Sequence, residues 1–276
     1  MTPLKIGLAL WSLGRTATEE DLKQRLSTAV EIGVKSVQPW CVDNSPAYPC
    51  VLDPDRCVGT KRKVMRELIL SYGLQISGFC AQLTGPSVPG RGWPGSGFGD
   101  PRGLKERIEK TKKCLNLAAD FGAPIVTLHP GPIPSDKSTS EYTTILQSCS
   151  EIASYGEEAG GIFCIETGQE TAAVLRNFIE EIGSEALRIN YDPANMLRYD
   201  VVEGVKTLAP LIVHTHAKDR DPETGRATVG DGIVPWDEYI SALRSIGYEG
   251  WYALEDETGK DVVNSLKRGK AFVERY

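Results

Sequence analysis

The 276-residue sequence has only three histidines, three methionines and seven cysteines, and no two cysteines form a CxxC pair. An odd number of dispersed cysteines does not predict a disulfide framework, and their spacing does not match a common structural zinc site. Cys164 lies within an apolar run and is predicted to be a core residue. Cys41, Cys50 and Cys57 fall in one loop-like stretch, where a zinc site is an alternative that the spacing disfavours.

Long apolar runs and blocks of basic charge are also absent. No apolar stretch approaches the roughly 20 residues of a membrane span. The formal net charge is -6, which argues against a nucleic-acid-binding surface. The first residues enter a strand-like run without a signal-peptide pattern, so we expect a cytoplasmic protein. No Gly-x-Gly-x-x-Gly follows the first strand, which disfavours a dinucleotide-binding fold.

The chain does contain a regular alternation of short apolar runs and amphipathic stretches. The apolar runs are mostly continuous, as expected for parallel strands that helices cover. The predicted strands are residues 5–10, 36–40, 75–80, 125–129, 162–166, 188–192, 212–216 and 251–255. The predicted helices are residues 18–33, 104–122, 174–183, 200–208, 236–246 and 260–276.

Eight strands that alternate with helices predict an α/β protein, a single-domain (β/α)8 TIM barrel over residues 1–276. A doubly wound open sheet is the alternative. The Gly- and Pro-rich segment 85–102 follows the third strand and is long for a barrel loop, so we interpret it as a functional lid or a mobile segment. Trp93 and Phe98 within it would cap a substrate.

Polar side chains end the later strands. Glu166, Asp192, His216 and Glu255 end strands five to eight, and His129 ends strand four. The carboxyl ends of barrel strands meet on one face, so these side chains are expected to converge there. Such ligands suit one divalent ion, Mn²⁺, Mg²⁺, Co²⁺ or Zn²⁺. A ring of salt bridges is the alternative; it is disfavoured because no lysine or arginine ends the same strands.

Several neighbours of this cluster have two interpretations. Residues two apart on a strand point the same way, so His216 is predicted as the ligand and His214 as a buried neighbour one layer deeper. Lys218 and Asp219 form an exposed pair, or the lysine polarises a substrate oxygen. His129 contacts substrate or a second metal, or makes a structural hydrogen bond.

Gln169 and Glu170 follow strand five, where the next helix is expected to begin. They would lie near the site, or they would stabilise the N-terminus of that helix, where acidic residues are favourable.

The chain resembles the xylose isomerase-like TIM-barrel superfamily, in particular its proteins described as sugar phosphate isomerases or epimerases. The resemblance spans essentially the whole chain. The motifs that carry it are Leu128-His129-Pro130-Gly131, Ile165-Glu166-Thr167-Gly168, Tyr191-Asp192-Pro193-Ala194-Asn195, His214-Thr215-His216-Ala217-Lys218-Asp219, Val229-Gly230-Asp231-Gly232 and Leu254-Glu255.

The resemblance implies one divalent ion, most often Mn²⁺, held by Glu166, Asp192, His216 and Glu255. It also implies that Glu166 and Glu255 are the catalytic pair, because in similar ketose epimerases one glutamate removes a proton and the other returns it through an enediolate. A metal that lowers the pKa of the carbon acid makes this proton transfer feasible.

The candidate substrate-binding residues are Trp11, Gln82, His129, Gln169, Asn195, Lys218 and Arg226. Arg226 lies where similar proteins place a substrate-contacting arginine, and a solvated loop residue is its alternative. Ketose epimerases usually carry a histidine three residues after the strand-six aspartate, where this chain has Asn195. This departure argues against a close ketose 3-epimerase.

Together these features predict a metal-dependent sugar or keto-sugar isomerase or epimerase. A lyase or dehydratase that acts on a keto-sugar or keto-inositol at the same site is the first alternative, and a non-catalytic sugar-binding barrel is the second. The expected partner is a small sugar or polyol, and the lack of a Gly-rich phosphate cradle favours an unphosphorylated one. Exposed loop aromatics leave a homo-oligomer open. A DNA-repair function is disfavoured, because DNA-repair relatives with three zinc ions need more than the three histidines of this chain.

Overall fold

The computed structural model describes residues 2–42, 49–86 and 95–276. Its strand segments form one sheet whose pairings are all parallel. The strands are β1 (Lys5–Ala9), β2 (Ser36–Gln38 and Trp40–Val42), β3 (Gln75–Ile76 and Phe79–Ala81), β4 (Ile125–Leu128), β5 (Ile162–Glu166), β6 (Leu187–Tyr191), β7 (Ile212–Ala217) and β8 (Trp251–Leu254).

The sheet closes on itself. β1 pairs with β8 and with β2, and each segment of β2 pairs with the matching segment of β3. The eight strands therefore form the predicted TIM barrel and not the open sheet. Two strand predictions were wrong in detail, because residues 36–40 and 75–80 are each interrupted. Pro39 divides β2 because proline has no N–H to donate to a ladder, and Ser77 and Gly78 divide β3.

Helices follow the strands and cover the barrel. They are α1 (Glu19–Ile32), α2 (Thr60–Ser71), α3 (Leu104–Asp120), α4 (Ser140–Ala159), α5 (Ala172–Ile182), α6 (Pro193–Met196), α7 (Val201–Leu208), α8 (Trp236–Ser245) and α9 (Val262–Val273). The sequence patterns missed α2, α4 and the single turn α6. No helix in the described parts of the chain is both long and apolar enough to cross a membrane.

The buried core corrects two predictions. Phe98 is fully buried and packs edge-to-face on Phe163, so it fills the core and does not cap a substrate. Trp93 lies outside the described residues. Cys41 is on β2 and not in a loop, and no cysteine of the described residues belongs to a candidate metal cluster. All seven cysteines are buried and none is in a disulfide, and Cys164 is a core residue, as predicted.

Candidate metal centre

Four buried side chains converge at the carboxyl ends of β5 to β8. Glu166, Asp192, His216 and Glu255 each offer one ligand atom, and these atoms all lie within 4.8 Å of one another. Nδ1 of His216 lies 3.0 Å from Oε2 of Glu255, 3.6 Å from Oε1 of Glu166 and 3.7 Å from Oδ2 of Asp192. One imidazole nitrogen therefore faces three carboxylates.

The local sequence after β6 directs one oxygen of Asp192 into this cluster. Pro193 begins α6 with a backbone suited to a first helical residue, and Oδ1 of Asp192 accepts the backbone N–H of Asn195 at 2.9 Å as the helix cap. The backbone N–H of Asp192 is itself held by the Thr167 hydroxyl at 2.9 Å. The cap uses only Oδ1, so Oδ2 is left for the cluster.

Two of the converging oxygens lack a hydrogen-bond donor. Oδ2 of Asp192 and Oε2 of Glu255 are buried and accept no well-aligned hydrogen bond from any described residue, although Nδ1 of His216 lies 3.7 and 3.0 Å from them. Burying an ionised oxygen without a donor is costly unless a cation compensates it. These two oxygens and the mixed oxygen and imidazole donor set therefore fit a divalent ion.

One oxygen of each glutamate is contacted by donors from outside the cluster. Oε1 of Glu255 accepts from Nε1 of Trp11 and from Nζ of Lys218, each at 3.1 Å. Oε1 of Glu166 accepts from Nδ2 of Asn195 at 3.2 Å and lies 3.5 Å from Nε2 of His129. Glu255 is thus fixed through Oε1 and faces the cluster with Oε2, whereas Oε1 of Glu166 both accepts from Asn195 and faces Nδ1 of His216.

Lys218 corrects the expectation that no cation ends these strands. It directly follows β7, and its ammonium pairs with Glu255 at 3.1 Å and with Glu257 at 2.9 Å. Burial lowers the pKa of Lys218, but Glu255, Asp192 and Glu257 outweigh this and raise that pKa well above its usual value. Lys218 shares its one positive charge with Glu257, so the three carboxylates of the cluster keep a net negative charge that a divalent ion would offset.

The two glutamates of the cluster are held ionised. Burial raises the pKa of Glu255, but Lys218 and His216 outweigh it and lower that pKa to about 2. Burial likewise raises the pKa of Glu166, but His129 and His216 outweigh it and bring that pKa well below the usual range. Ionised carboxylates are the form in which these side chains bind a cation.

His214 lies one layer deeper, as predicted. Its Nδ1 is 2.8 Å from Oδ1 of Asn190 and its Nε2 is 3.2 Å from the Ser77 hydroxyl. Burial and the neighbouring His216 lower the pKa of His214 to about 3, so it is neutral near pH 7. A neutral imidazole with both nitrogens engaged supports the layer above and is not a ligand.

A cavity of 750 Å³ opens directly above the cluster. All seven predicted substrate-binding residues line it: Trp11, Gln82, His129, Gln169, Asn195, Lys218 and Arg226. The sequence patterns missed further lining residues, namely Ser12, Arg198, Arg220 and Glu257. Arg226 is an exposed residue at this cavity, and its guanidinium donates to the backbone carbonyl of Glu257 at 3.1 Å.

Gly168 allows the turn after β5 to pass close to Asn195. It has a φ of +118°, and a Cβ at this position would lie 2.3 Å from the Asn195 Cβ. Glycine adopts this conformation and leaves the space. The motif that follows Glu166 therefore places the amide that donates to Glu166.

Two expectations near the cluster were wrong. Asp219 is not half of an exposed pair: it is buried and accepts from the backbone N–H groups of Gly230 and Val234 and from the Trp236 indole. Glu170 does not cap α5, because Thr171 is the N-cap. It is buried away from the cavity lining, and its Oε2 accepts the Ile133 backbone N–H at 3.3 Å.

The fold and the site together define the class of protein. It is a TIM barrel with a candidate metal centre, formed by carboxylates and an imidazole at the carboxyl ends of the strands. The sequence matches the family described as the xylose isomerase-like TIM barrel over residues 26–276. The chain belongs to this family.

The relatives include an epimerase and a dehydratase. D-psicose 3-epimerase of Agrobacterium fabrum is 28% identical over 145 residues, which are 49% of this chain and 48% of that protein. Inosose dehydratase of Bacillus thuringiensis is 21% identical over 201 residues, which are 59% of this chain and 67% of the relative. The chain therefore spans about half the length of the epimerase that it matches.

Solved structures share the fold over nearly the whole chain. A xylose isomerase domain protein from Planctomyces limnophilus superposes with a TM-score of 0.77 at 21% identity, over 98% of this chain and 95% of that one. An L-ribulose 3-epimerase superposes with a TM-score of 0.75 at 18% identity, over 98% and 93%. At these identities the likeness shows the TIM barrel fold.

Proposed function

We propose that this chain is a divalent-metal-dependent isomerase or epimerase of a sugar or keto-sugar. The observation that carries the proposal is the convergence of three buried carboxylates and one imidazole, within 4.8 Å of one another, beneath a 750 Å³ cavity. The epimerases among its relatives support the same reaction class.

The proposed ligands are Glu166, Asp192, Nδ1 of His216 and Glu255, and the proposed ion is Mn²⁺. When bound, the ion supplies positive charge that polarises a substrate carbonyl and stabilises the enediolate oxygen. The unsatisfied oxygens of Asp192 and Glu255 and the net negative charge of the cluster support this assignment.

Glu166 and Glu255 are the proposed acid and base. Both are ionised and both border the cavity, so either can take a proton from a carbon next to a carbonyl. Their surroundings differ: a neutral amide donates to Glu166, whereas the ammonium of Lys218 donates to Glu255. We propose that one glutamate takes the proton from carbon and that the other, after taking up a proton from solvent, delivers it to the opposite face of the enediolate.

Other cavity residues bind and orient the substrate. Trp11 and Lys218 hold one carboxylate oxygen of Glu255. His129 and Asn195 are beside Glu166 and can also donate to substrate hydroxyls. Gln82, Gln169 and Arg226 line the remainder of the cavity, where we propose that they contact the distant hydroxyls of a small sugar or polyol.

Asn195 favours a second candidate function, a dehydratase that acts on a keto-sugar or keto-inositol. Its amide cannot transfer a proton, unlike the histidine that ketose epimerases usually carry at this position. Inosose dehydratase is among the relatives. Both candidates begin with the same proton abstraction, and they differ in whether a β-hydroxyl leaves.

Deuterium exchange tests the proposal and separates the two candidates. The Mn²⁺-loaded chain is incubated in D₂O with ketohexoses, ketopentoses and keto-inositols, and the masses of the products are measured by mass spectrometry. An isomer that carries solvent deuterium supports the epimerase, and a product lighter by water supports the dehydratase. If neither forms while a sugar still binds, the chain is a sugar-binding barrel and the enzymatic proposal fails.

A further inference from the structure

Gln38 is a fully buried amide that contacts the proposed histidine ligand across the barrel interior. Its Oε1 lies 3.0 Å from Nε2 of His216, and neither side chain is exposed to solvent. Gln38 is on β2 and His216 is on β7, with β1 and β8 between them in the sheet. The contact therefore depends on the closed barrel and not on neighbouring strands.

Thr127 fixes which end of the amide faces the histidine. Its hydroxyl lies 3.4 Å from the Phe79 carbonyl, to which it donates, and its oxygen accepts Nε2 of Gln38 at 3.0 Å. A hydroxyl has only one proton, so Thr127 cannot also donate to Gln38. The amide thus presents Oε1 to His216.

An amide oxygen only accepts hydrogen bonds, so Nε2 of His216 must be the donor. The opposite nitrogen, Nδ1, is the one that faces the three carboxylates. Asn190 does not select between the two nitrogens, because its Nδ2 lies 3.4 Å from Nδ1 and 3.3 Å from Nε2. The two nitrogens thus have different partners: Nδ1 has the carboxylates, with Oε2 of Glu255 at 3.0 Å, and Nε2 has Oε1 of Gln38 at 3.0 Å.

We propose that Gln38 is a positioning residue of the metal centre. Its amide oxygen keeps the ring proton on Nε2 of His216 and directs the Nδ1 lone pair toward the ion. This inference rests on the proposed function, since it assigns a role toward the same ion. Histidine ligands generally donate their other N–H to a fixed acceptor, and losing that acceptor weakens metal affinity about 10- to 100-fold.

Metal affinity of substituted chains tests the role. Gln38→Leu is expected to weaken Mn²⁺ binding by about 10- to 100-fold in calorimetric titration. Gln38→Glu should restore wild-type affinity or exceed it, because a carboxylate accepts the same proton. Thr127→Val frees the amide of Gln38 to rotate, so it should weaken Mn²⁺ binding less than Gln38→Leu does.

Thr111→Val is the matched control for a buried polar substitution. Thr111 is fully buried on α3, and its hydroxyl donates to the Arg107 carbonyl, remote from the cluster. It should leave Mn²⁺ affinity unchanged. Thermal unfolding of each variant shows which of them are folded.

Nitrogen NMR of ¹⁵N-histidine-labelled wild-type protein gives a readout that needs no variant. In the Zn²⁺-loaded protein, Nε2 of His216 should carry the proton and Nδ1 should show the shift of a coordinated nitrogen. Coordination through Nε2 would overturn the inference, as would a Gln38→Leu variant with wild-type Mn²⁺ affinity.

Failure of the proposed function gives a different result. If wild-type protein binds no divalent ion, the metal centre is wrong. Metal-free wild type and metal-free Gln38→Leu then decide the inference by themselves: a change in the Nε2 shift of His216 supports its hydrogen bond to Gln38, and identical Nε2 shifts refute it.

Discussion

Glu170 is a buried carboxyl group whose ionisation opposes folding. Burial raises its pKa to about 7, against an ordinary value of 4.5, and its Oε1 accepts no hydrogen bond from any described residue. Between these two pH values the folded chain holds a proton that the unfolded chain has released. Stability therefore falls as pH rises from about 4.5 to about 7, by about 3 kcal/mol in total.

Replacing Glu170 by Gln should remove this loss. The amide oxygen can still accept the Ile133 N–H, so Glu170→Gln should raise the free energy of unfolding at about pH 8 and change it little at about pH 4.5. Urea unfolding at both pH values measures this. An equal effect at the two pH values would contradict a raised pKa.

Gly168 should matter for activity as well as for folding, because alanine rarely adopts its φ of +118°. In Gly168→Ala the new methyl group would displace Asn195 and remove its hydrogen bond to Glu166. We expect kcat/KM to fall about tenfold or more, because misplacing catalytic groups is costly. Gly160→Ala is the control, since Gly160 also has a positive φ but nothing within 4 Å of its Cβ. Equal activities of the two variants would contradict the role of Asn195.

At the residue scale, the sequence indicated the strand ends better than the strand interiors. Glu166, Asp192 and Glu255 were predicted to converge because a charged residue that closes an apolar run is conspicuous. Gln38 was missed because it lies inside a predicted strand. Its available signal was the alternation of Ser36 and Gln38 on one face of β2, which places polar groups inside the barrel.

At the element scale, the missed helices have weak apolar periodicity. α2 buries only Met65 and Ile69, and its remaining residues are largely charged or partly exposed. α4 buries a helical face built partly from Ser148, Cys149 and Gly156, which a search for large apolar residues passes over. The alternation of strands and helices needs both α2 and α4. The eight strands and the other helices were enough to predict the barrel without them.

The connection between β7 and α8 should depend on Asp219. Asp219→Ala leaves the Gly230 and Val234 N–H groups and the Trp236 indole without their acceptor. We expect a loss of about 3 to 5 kcal/mol of unfolding free energy, since each buried unsatisfied donor is costly. Asp221→Ala, at an exposed turn in the same connection, should cost less than about 1 kcal/mol. Equal losses in urea unfolding would contradict the buried acceptor.

At the scale of the whole molecule, one ion would join the ends of four consecutive strands. An ion that binds only the folded chain stabilises it by about 3 kcal/mol at 100 times its Kd, which raises Tm by about 5 to 10 °C in a protein of this size. Chelation should therefore lower Tm, and Mn²⁺ should restore it in differential scanning calorimetry. A Tm that does not respond to either treatment would contradict binding to the folded state.

The fold alone does not determine which metal binds, what that metal does in the reaction, or which substrate is used. Glu166 and Glu255 lie at the ends of strands that are not neighbours, β5 and β8, and they meet because the closed barrel directs its carboxyl ends to one face. The position of Lys218 among these acids could not be predicted, because it depends on how the chain turns after β7. Substrate selection depends likewise on loop residues such as Arg198 and Arg220 that line the cavity without any periodic pattern.

The most direct test of the metal centre is a Mn²⁺ titration followed by electron paramagnetic resonance, on wild-type protein and on Asp192→Asn. Asp192 is fully buried, and its Oδ2 faces the cluster. Asp200→Asn, which alters an exposed helix cap, is the control. We predict one bound Mn²⁺ per chain in wild type and control, and affinity at least about tenfold weaker in Asp192→Asn. No bound Mn²⁺ in wild type, or equal affinity in all three proteins, would contradict the metal centre.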